Sequence, residues 1–341
     1  MILDESVQIG REKLLLLLAV PYERALSVTG KGLTHDEVEV IGLKVARSWT
    51  GDAISEFINQ RLAALPEMEL AYAISDGGSN ILRALRLCGI DRVADCTHVM
   101  MNLIAKQFEG NSELSKLNCQ HSQLRSRWLM TDKSCLVTNT IRYKDRILKL
   151  FRLVTWVERI DDYWIILSDE VRQQLHFIAP AREAISQLSE VKYLFECAAR
   201  LLKIHGLSQH TQLAFWLQVR QYRETLSHPL SEPAEAFVKG IFTYFEQGIS
   251  QACGSSRRLL CCSDVIESIF GRYKNKGGVA AISGDVLGIV LYKHILSPQQ
   301  VREALTEVSY PMVQEWLKEN TCPTRYAQMS AQRKRLKTAA V

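Results

Sequence analysis

Two aspartates, Asp4 and Asp76, lie within or directly after apolar runs that are typical of β-strands. Asp4 belongs to the first run, MILDESVQI, and Asp76 follows the run MELAYAIS. An aspartate at the carboxyl end of a buried strand faces the crevice where ligands bind. If the two strands are neighbours, their carboxylates converge, and like charges that close stay ionised together only around a cation. The pattern therefore favours a divalent-metal site.

Two glycines, Gly77 and Gly78, directly follow Asp76. They permit a tight turn and allow another backbone, such as a nucleic-acid strand, to approach closely. A second interpretation gives Asp76 a local role as the cap of a helix that begins near Ser79. Asp4 also has an alternative, a solvated sheet edge at LDES with an exposed carboxylate. The residues alone leave both alternatives open.

A third acidic residue, Glu267, lies on the predicted helix SDVIESIFGRYKNKGG. Glu267, Gly271 and Lys274 occupy positions i, i+4 and i+7, so they share one face of that helix. The face combines a carboxylate that can bind a metal ion, a glycine that allows another backbone to approach closely, and a cation that can bind a phosphate. This combination suits the binding of a phosphodiester. The alternative is a solvated glutamate opposite an apolar stripe, which is routine on amphipathic helices.

Basic residues around Glu267 indicate a polyanionic partner. The net charge of +5 and the pI near 8.7 are only mildly basic, so clustering matters more than total charge. We predict that the following cluster contacts DNA phosphates: Arg257, Arg258, Arg272, Lys274 and Lys276.

The first hundred residues alternate between strand and helix patterns. The run LLLLLAV suits a strand buried on both faces and is too short to span a bilayer. It follows MILDESVQI after the turn GREK, which predicts a β-hairpin. ERALSV is predicted to be a third strand. Thr34 and Glu37 have the spacing of a capping box, which predicts that a helix begins there and continues over THDEVEVIGLKVARSW. These elements favour a mixed sheet with helices on its faces.

Residues 110 to 250 have long stretches at helical spacing and hardly any strand signal. This block is predicted to be all α-helical. The alternative for one of its tryptophans is stacking on a displaced DNA base. All four are predicted to be core residues: Trp128, Trp156, Trp164 and Trp216.

Several segments together resemble the catalytic core of DDE-type DNA transposases over most of the chain: ILDESVQIGREKLLLLLAV, AISDGGSNILRAL, VADCTH and SDVIESIFGRYK. The resemblance implies an α/β fold, an RNase H-like mixed sheet flanked by helices and interrupted by a large all-α insertion. In that family an aspartate on the first strand, a second after the fourth strand and a glutamate on a later helix hold two magnesium ions, for which manganese substitutes. The matching residues here are Asp4, Asp76 and Glu267.

The same resemblance implies roles for Asp95 and His98. Many such transposases carry Cys or Asp, two residues and then His after the second acid, and DCTH has that form. These side chains would hydrogen-bond a phosphate or a carboxylate behind the metal ions, and the alternative for His98 is an ordinary buried histidine. The long separation of Asp76 from Glu267 leaves room for a helical insertion, which the hAT group carries at that point.

The resemblance divides the chain into a first core part at 1–108, an all-helical insertion at 109–250, core helices with the third acid at 251–320 and a basic tail at 321–341. It implies metal-dependent cleavage and strand transfer on double-stranded transposon ends and target DNA, within a homo-oligomeric synaptic complex. The family usually has a DNA-binding domain ahead of the first strand, and this chain begins three residues before Asp4. We therefore expect an insertion-sequence transposase without that domain. The alternative is a remnant that binds DNA without catalysis.

The N-terminus indicates a cytoplasmic protein with no membrane partner, associated with the nucleoid in a bacterium. MILDESV has neither the basic start nor the cleavage site of a secretory signal. The nine cysteines are then expected to be reduced. They form no C-x-x-C pair and match no structural zinc spacing.

Overall fold

The computed structural model describes residues 1–5, 12–27, 30–138, 146–251, 258–275, 286, 288–289 and 297–320. These residues form a mixed α/β structure and group into two compact units. The first unit contains the β-sheet and comprises the described residues of Met1–Thr97, Lys203–Gly206 and Arg257–Val341. The second unit is helical and comprises those of His98–Leu202 and Leu207–Ser256.

One mixed sheet is formed by the strands of the described residues: β1 (Ile2–Glu5), β2 (Lys13–Ala19), β3 (Glu39–Ala46), β4 (Ala73–Ser75) and β5 (Arg92–Ala94). Their order across the sheet is β3-β2-β1-β4-β5. β2 runs antiparallel to both β1 and β3, whereas β1, β4 and β5 are parallel to one another. β1 is therefore the central strand, and its carboxyl end lies beside that of β4.

β2 is buried on both faces, as its sequence predicts. The leucines from 14 to 18 are each 0% exposed. Successive side chains of a strand point to opposite faces of the sheet. On one face, Leu15 and Leu17 pack in a core with residues of α2 (Gly51–Ala63) and α3 (Ser79–Leu87). The antiparallel pairing of β1 with β2 also confirms the predicted hairpin.

Two local predictions were wrong. Thr34 and Glu37 form the predicted capping box, but the box closes only the 3-10 turn His35–Glu37, after which the chain enters β3 rather than a helix. A strand at this place pairs with the edge of β2, whose backbone groups would otherwise lack partners. The segment ERALSV contributes to a short helix, α1 (Tyr22–Leu26), instead of a strand. Pro21 precedes it and lacks the backbone donor that a strand would use.

The other helices of the described residues are α4 (Cys96–Phe108), α5 (Ser112–Trp128), α6 (Arg146–Tyr163), α7 (Asp169–Leu175), α8 (Arg182–His205), α9 (Gln209–Thr225), α10 (Glu232–Gln251), α11 (Asp264–Asn275), α12 (Pro298–Glu307) and α13 (Tyr310–Asn320). Between 109 and 250 the described residues contain no strand, in agreement with the predicted helical block. No helix in the described part of the chain combines the length and apolar character needed to cross a bilayer.

The tryptophans of the helical region differ in burial. Trp128 and Trp156 are buried, and their indole N–H groups each donate a hydrogen bond. Trp164 is half-buried. Trp216 is 45% exposed, so the prediction of a core position was wrong for this residue. Its indole is available to a partner.

A buried histidine, His121, makes the second unit sensitive to acid. Its ring packs edge-on against Trp156 with 4.4 Å between centroids, and Nε2 lies 3.3 Å from the Thr138 hydroxyl. Burial, with smaller effects of Arg125 and Arg159, lowers the pKa of His121 from 6.5 to about 4. Between these pH values the unfolded chain binds a proton that the folded chain does not, so stability falls as the pH falls. The full shift corresponds to roughly 3 kcal/mol.

We therefore expect the urea midpoint of the second unit, followed by tryptophan fluorescence, to decrease as the pH is lowered from 6.5 towards about 4. His121→Gln should flatten this dependence, because glutamine does not titrate. The exposed His176 provides a control, since His176→Gln should leave the dependence unchanged. An equally steep dependence in His121→Gln would assign the acid sensitivity to other groups.

Candidate active site

β1 and β4 pair in parallel, so the carboxyl ends of the strand that contains Asp4 and of the strand that Asp76 follows lie at the same edge of the sheet. Ile2 of β1 is in register with Ile74 of β4 in a parallel pair. Asp4 and Asp76 each lie two residues further along, and the period of two along a strand places them on the same face as that pair. Adjacent strands are roughly 5 Å apart. The strand pairing on which the predicted metal site depends is therefore present.

The Asp76 carboxylate uses one oxygen in a local turn. Oδ1 accepts a hydrogen bond from the Gly78 N–H at 3.0 Å, and no other donor among the described residues bonds this carboxylate. The Asp76 backbone carbonyl is held separately, by the Arg92 guanidinium at 2.7 Å and the Ser75 hydroxyl at 3.1 Å. The hydrogen bond from Gly78 agrees in part with the interpretation of Asp76 as a helix cap, because it holds the residue that immediately precedes α3. It orients the carboxylate and leaves Oδ2 available to a cation.

Glycines near the candidate carboxylates border open space. A Cβ added to Gly77 would meet no heavy atom within 4 Å, and the same holds for Gly271 on α11. A Cβ on Gly78 would lie 3.0 Å from Asp76 Oδ1, so glycine at this position avoids a close contact with the carboxylate. The space at Gly77 and Gly271 would admit an approaching backbone.

Glu267 lies on the solvent-facing side of α11. The opposite side of this helix is buried and apolar: Val265, Ile266, Ile269, Phe270 and Tyr273. The helix packs against β1, the strand that carries Asp4. The fold therefore brings the helix of the third predicted ligand beside the strand of the first, and metal binding by Glu267 stays a prediction.

Asp95 connects the end of β5 to the start of α11. Its side chain is 1% exposed, and its backbone N–H donates to the Ser75 carbonyl at 3.0 Å. Its Oδ2 accepts two hydrogen bonds from Ser263, at 2.7 Å from the backbone N–H and 2.8 Å from the hydroxyl. Ser263 immediately precedes α11, so these bonds hold the residue from which the helix starts. The buried carboxylate thus ties the helix of Glu267 to the sheet.

Further contacts hold the same junction. The Cys96 N–H donates to the Cys261 carbonyl at 2.7 Å, which joins the first residue of α4 to the segment before α11. Asp264, the first residue of α11, accepts a hydrogen bond from the Thr97 hydroxyl at 3.1 Å and pairs with Lys203 Nζ at 2.5 Å. The ion pair is partly exposed, so we expect it to stabilise the junction less than the buried Asp95 does.

His98 lies in the first turn of α4, three residues after Asp95, and is half-buried. It is the first residue of the second unit. Its predicted contact with a phosphate or with a carboxylate behind the metal ions stays a prediction.

Two of the predicted DNA-contacting residues are on α11. Arg272 is exposed, and Lys274 is half-buried with its Nζ 5.8 Å from the centre of the Phe270 ring. Lys274 shares the helical face of Glu267, and Arg272 lies two residues before Lys274 on the same helix. Arg257 and Lys276 lie outside the described residues.

Arg258 has a different environment from the α11 cations. Its side chain is 8% exposed, and its guanidinium donates to the backbone carbonyls of Ser27 and Ile204. Burial lowers the pKa of this guanidinium. Because its hydrogen bonds hold three segments of the first unit together, we leave Arg258 out of the proposed DNA surface.

The structure also gathers cysteines that are distant in sequence. The Sγ atoms of Cys96 and Cys262 and one carboxylate oxygen of Asp95 all lie within 4.8 Å of one another. Cys96 is buried, and its interaction with the Cys261 thiol, together with burial, raises the pKa of the Cys96 thiol well above its usual value. The sequence carries no signal for this group, because its members meet only through tertiary contacts.

Comparison with known proteins found no relative: the sequence matches no protein-family model and no curated protein.

Proposed function

We propose that this chain is the catalytic part of a DDE-type DNA transposase with an RNase H-like core, in which Asp4, Asp76 and Glu267 bind two magnesium ions. The observation that supports this proposal is the parallel pairing of β1, which contains Asp4, with β4, which Asp76 follows. Asp4 is on the first strand and Asp76 follows the fourth, the order that the resemblance implies. The packing of α11 against β1 gives further support.

The donor set of this site fits magnesium. Mg²⁺ prefers oxygen ligands and is usually held by one or two carboxylates together with substrate phosphates. When bound, two such ions supply Lewis acidity for the attacking and the leaving oxygen of an in-line displacement. The protein holds the carboxylates in place, through strand pairing on both sides of Asp4 and through the Gly78 turn at Asp76.

The proposed reactions are phosphodiester hydrolysis and strand transfer. In hydrolysis, water attacks a backbone phosphorus and the 3′-oxygen leaves as a hydroxyl. In strand transfer, that 3′-hydroxyl attacks the phosphorus of a target phosphodiester, and the 3′-oxygen of the target strand takes up a proton and leaves as a hydroxyl. The same carboxylates serve both steps, because each step is a displacement at phosphorus with one attacking and one leaving oxygen.

Cations on α11 provide the proposed contact with the DNA backbone near the carboxylates. Arg272 is exposed on the same helix as Glu267, and Lys274 shares the helical face of Glu267. The open space at Gly271 lies between them in sequence. Positive charge at this place favours phosphate, and such contacts weaken as the salt concentration rises.

The second unit offers a different kind of DNA surface on α9. The Arg220 guanidinium lies 5.8 Å from the centre of the Trp216 ring. Together with Arg223 and Lys239, these residues line a cavity of about 310 Å³. Arg220 pairs with Glu224 and Arg223 pairs with Glu235, so the exposed ring, rather than the positive charge, is the feature that suits stacking on an unpaired base. We propose that this surface binds a displaced base, the alternative that the sequence left open for one tryptophan.

Trp216→Ala should weaken binding of a single-stranded oligonucleotide by about tenfold, since stacking on one base contributes roughly 1–3 kcal/mol. Fluorescence anisotropy at one fixed salt concentration measures the effect. Trp216→Phe should retain most of the affinity, because phenylalanine keeps an aromatic face. Leu217, a neighbour that is also exposed, is the control. An equal loss in Leu217→Ala would show that general exposure of α9, not stacking, carries the binding.

Divalent-dependent nicking of supercoiled plasmid DNA tests the proposed function without knowledge of the terminal repeats. We expect the purified chain to convert supercoiled to open-circular DNA with Mg²⁺ or Mn²⁺ and to be inactive in EDTA. Binding of the same DNA in EDTA should persist and fall with added salt. Salt-sensitive binding without nicking under any divalent ion would favour a remnant that binds DNA without catalysis. Absence of both binding and nicking would reject the DNA function altogether.

A further inference from the structure

The junction between β5 and α11 contains ligands that zinc prefers. A carboxylate oxygen of Asp95 and the Sγ atoms of Cys96 and Cys262 all lie within 4.8 Å of one another. Two sulfurs bound at about 2.3 Å to one ion are at most about 4.6 Å apart, and less in a tetrahedral site. Small side-chain rotations would therefore bring the three atoms to the distances of a single site.

Hydrogen bonds hold the backbone next to the two cysteines and the side chain of Asp95. The Cys96 N–H donates to the Cys261 carbonyl at 2.7 Å, so the chain just before Cys262 is joined to the start of α4. Asp95 is held through Oδ2 by the backbone and the hydroxyl of Ser263. Asp95 and Cys96 are buried and Cys262 is half-buried, which shields the site from bulk water.

We propose that Asp95, Cys96 and Cys262 bind one structural zinc ion. Thiolate ligands select zinc over magnesium, whereas the oxygen-only set of Asp4, Asp76 and Glu267 has the opposite preference. The three residues supply three of the four ligands of a tetrahedral site, and a water molecule would supply the fourth. On binding, the hydrated ion keeps one water and exchanges the others for two Zn–S bonds and one Zn–O bond to Asp95, while two S–H bonds break. Both protons pass to solvent, and no atom changes oxidation state.

The charges around the junction suit this ion. Zinc with two thiolates and one carboxylate has a net charge of −1. Lys203 is close enough to Cys96 and Cys262 to interact with both electrostatically, and it pairs with Asp264 at 2.5 Å. A cation beside the site would offset the remaining negative charge. The ion would then link the end of β5 to the start of α11, in addition to the Asp95–Ser263 hydrogen bonds.

Metal analysis of the full chain, purified under reducing conditions and dialysed against a weak chelator, tests this proposal. We expect close to one zinc per chain. Titration with Co²⁺ should give the intense thiolate-to-cobalt absorption and the visible bands of a tetrahedral site, and Zn²⁺ should abolish both. Cys262→Ser should weaken zinc binding at least about 100-fold. This loss is larger than is usual for substitution of residues that only hydrogen-bond the ligands. Cys119→Ser removes an exposed cysteine and should have no effect.

Asp95→Asn is a second variant, which keeps an oxygen acceptor for Ser263 and lacks the charge for the ion. Zinc-free wild-type protein that also fails to bind Co²⁺ would overturn the proposal, and so would Cys262→Ser with unchanged affinity. Because plasmid nicking is measured separately, loss of the zinc site and failure of the proposed catalysis are distinguishable.

Discussion

Asp76→Asn is expected to lower Mg²⁺-dependent plasmid nicking by at least about 1,000-fold, which corresponds to the several kcal/mol that metal-assisted charge stabilisation contributes. Asparagine keeps an Oδ1 that accepts the Gly78 N–H, so the turn after β4 should persist. What is lost is the negative charge beside Asp4. Nicking rates at saturating Mg²⁺ and at saturating Mn²⁺ measure the effect.

The control for this variant is Asp91→Asn, which changes an exposed aspartate just before β5. It should nick DNA at the wild-type rate. DNA affinity measured in EDTA should be nearly the same for both variants and the wild type, because the aspartates contact the substrate through metal ions. Full activity of Asp76→Asn would reject the metal site at β1 and β4 and the catalytic proposal with it.

Asp95→Ala should destabilise the first unit by about 4 kcal/mol. The substitution removes a buried carboxylate and leaves the N–H and the hydroxyl of Ser263 without their acceptor. Hydrogen bonds to a charged group contribute roughly 1.5–3 kcal/mol each, and a buried donor without a partner adds a desolvation cost. Hydrogen exchange of the α11 and β5 amides measures this effect locally. We expect those amides that exchange through unfolding of the first unit to exchange about 1,000-fold faster.

Asp95→Asn should have about half of that effect, because the amide oxygen still accepts from Ser263 and only the charge is lost. The exposed pair of Asp52 with Arg83, 3.0 Å apart, supplies the matched control. Asp52→Ala should change stability by less than about 1 kcal/mol, as is usual for surface ion pairs. If Asp95→Ala changed exchange at α11 no more than Asp52→Ala does, the anchoring role of Asp95 would have to be given up.

Periodicity alone predicted some elements well and one badly. The leucine run of β2 has no polar position, so only a strand or helix buried all round could contain it, and its brevity favoured a strand. The helix α3 ends before Gly89, whose φ of 66° is favourable for glycine. In contrast, Val38, Ile41 and Val45 have helical spacing, and yet the segment is a strand. Its conformation follows from pairing with β2, which local sequence does not encode.

In the candidate active site, too, local structure can be predicted from the sequence, whereas tertiary pairing cannot. The strand character of the segments around Asp4 and Asp76 can be predicted from their apolar runs, and the helix of Glu267 can be predicted from its apolar stripe. Whether the carboxylates of Asp4 and Asp76 can approach each other depends on the parallel pairing of β1 with β4, in which Ile2 lies opposite Ile74. A shift of one residue would move an aspartate to the other face of the sheet. Register is a property of the assembled sheet.

The sequence by itself determined which segments are strands or helices in most of the chain, and it indicated the three acidic residues whose chemistry suits a phosphodiester. Only the tertiary structure decided which of their strands and helices pair or pack together, that Arg258 is buried and Trp216 exposed, and that Asp95 bonds Ser263 across 168 residues. The physical reason is that apolar periodicity and caps act over a few residues. Buried polar groups must find partners wherever the packed chain places them.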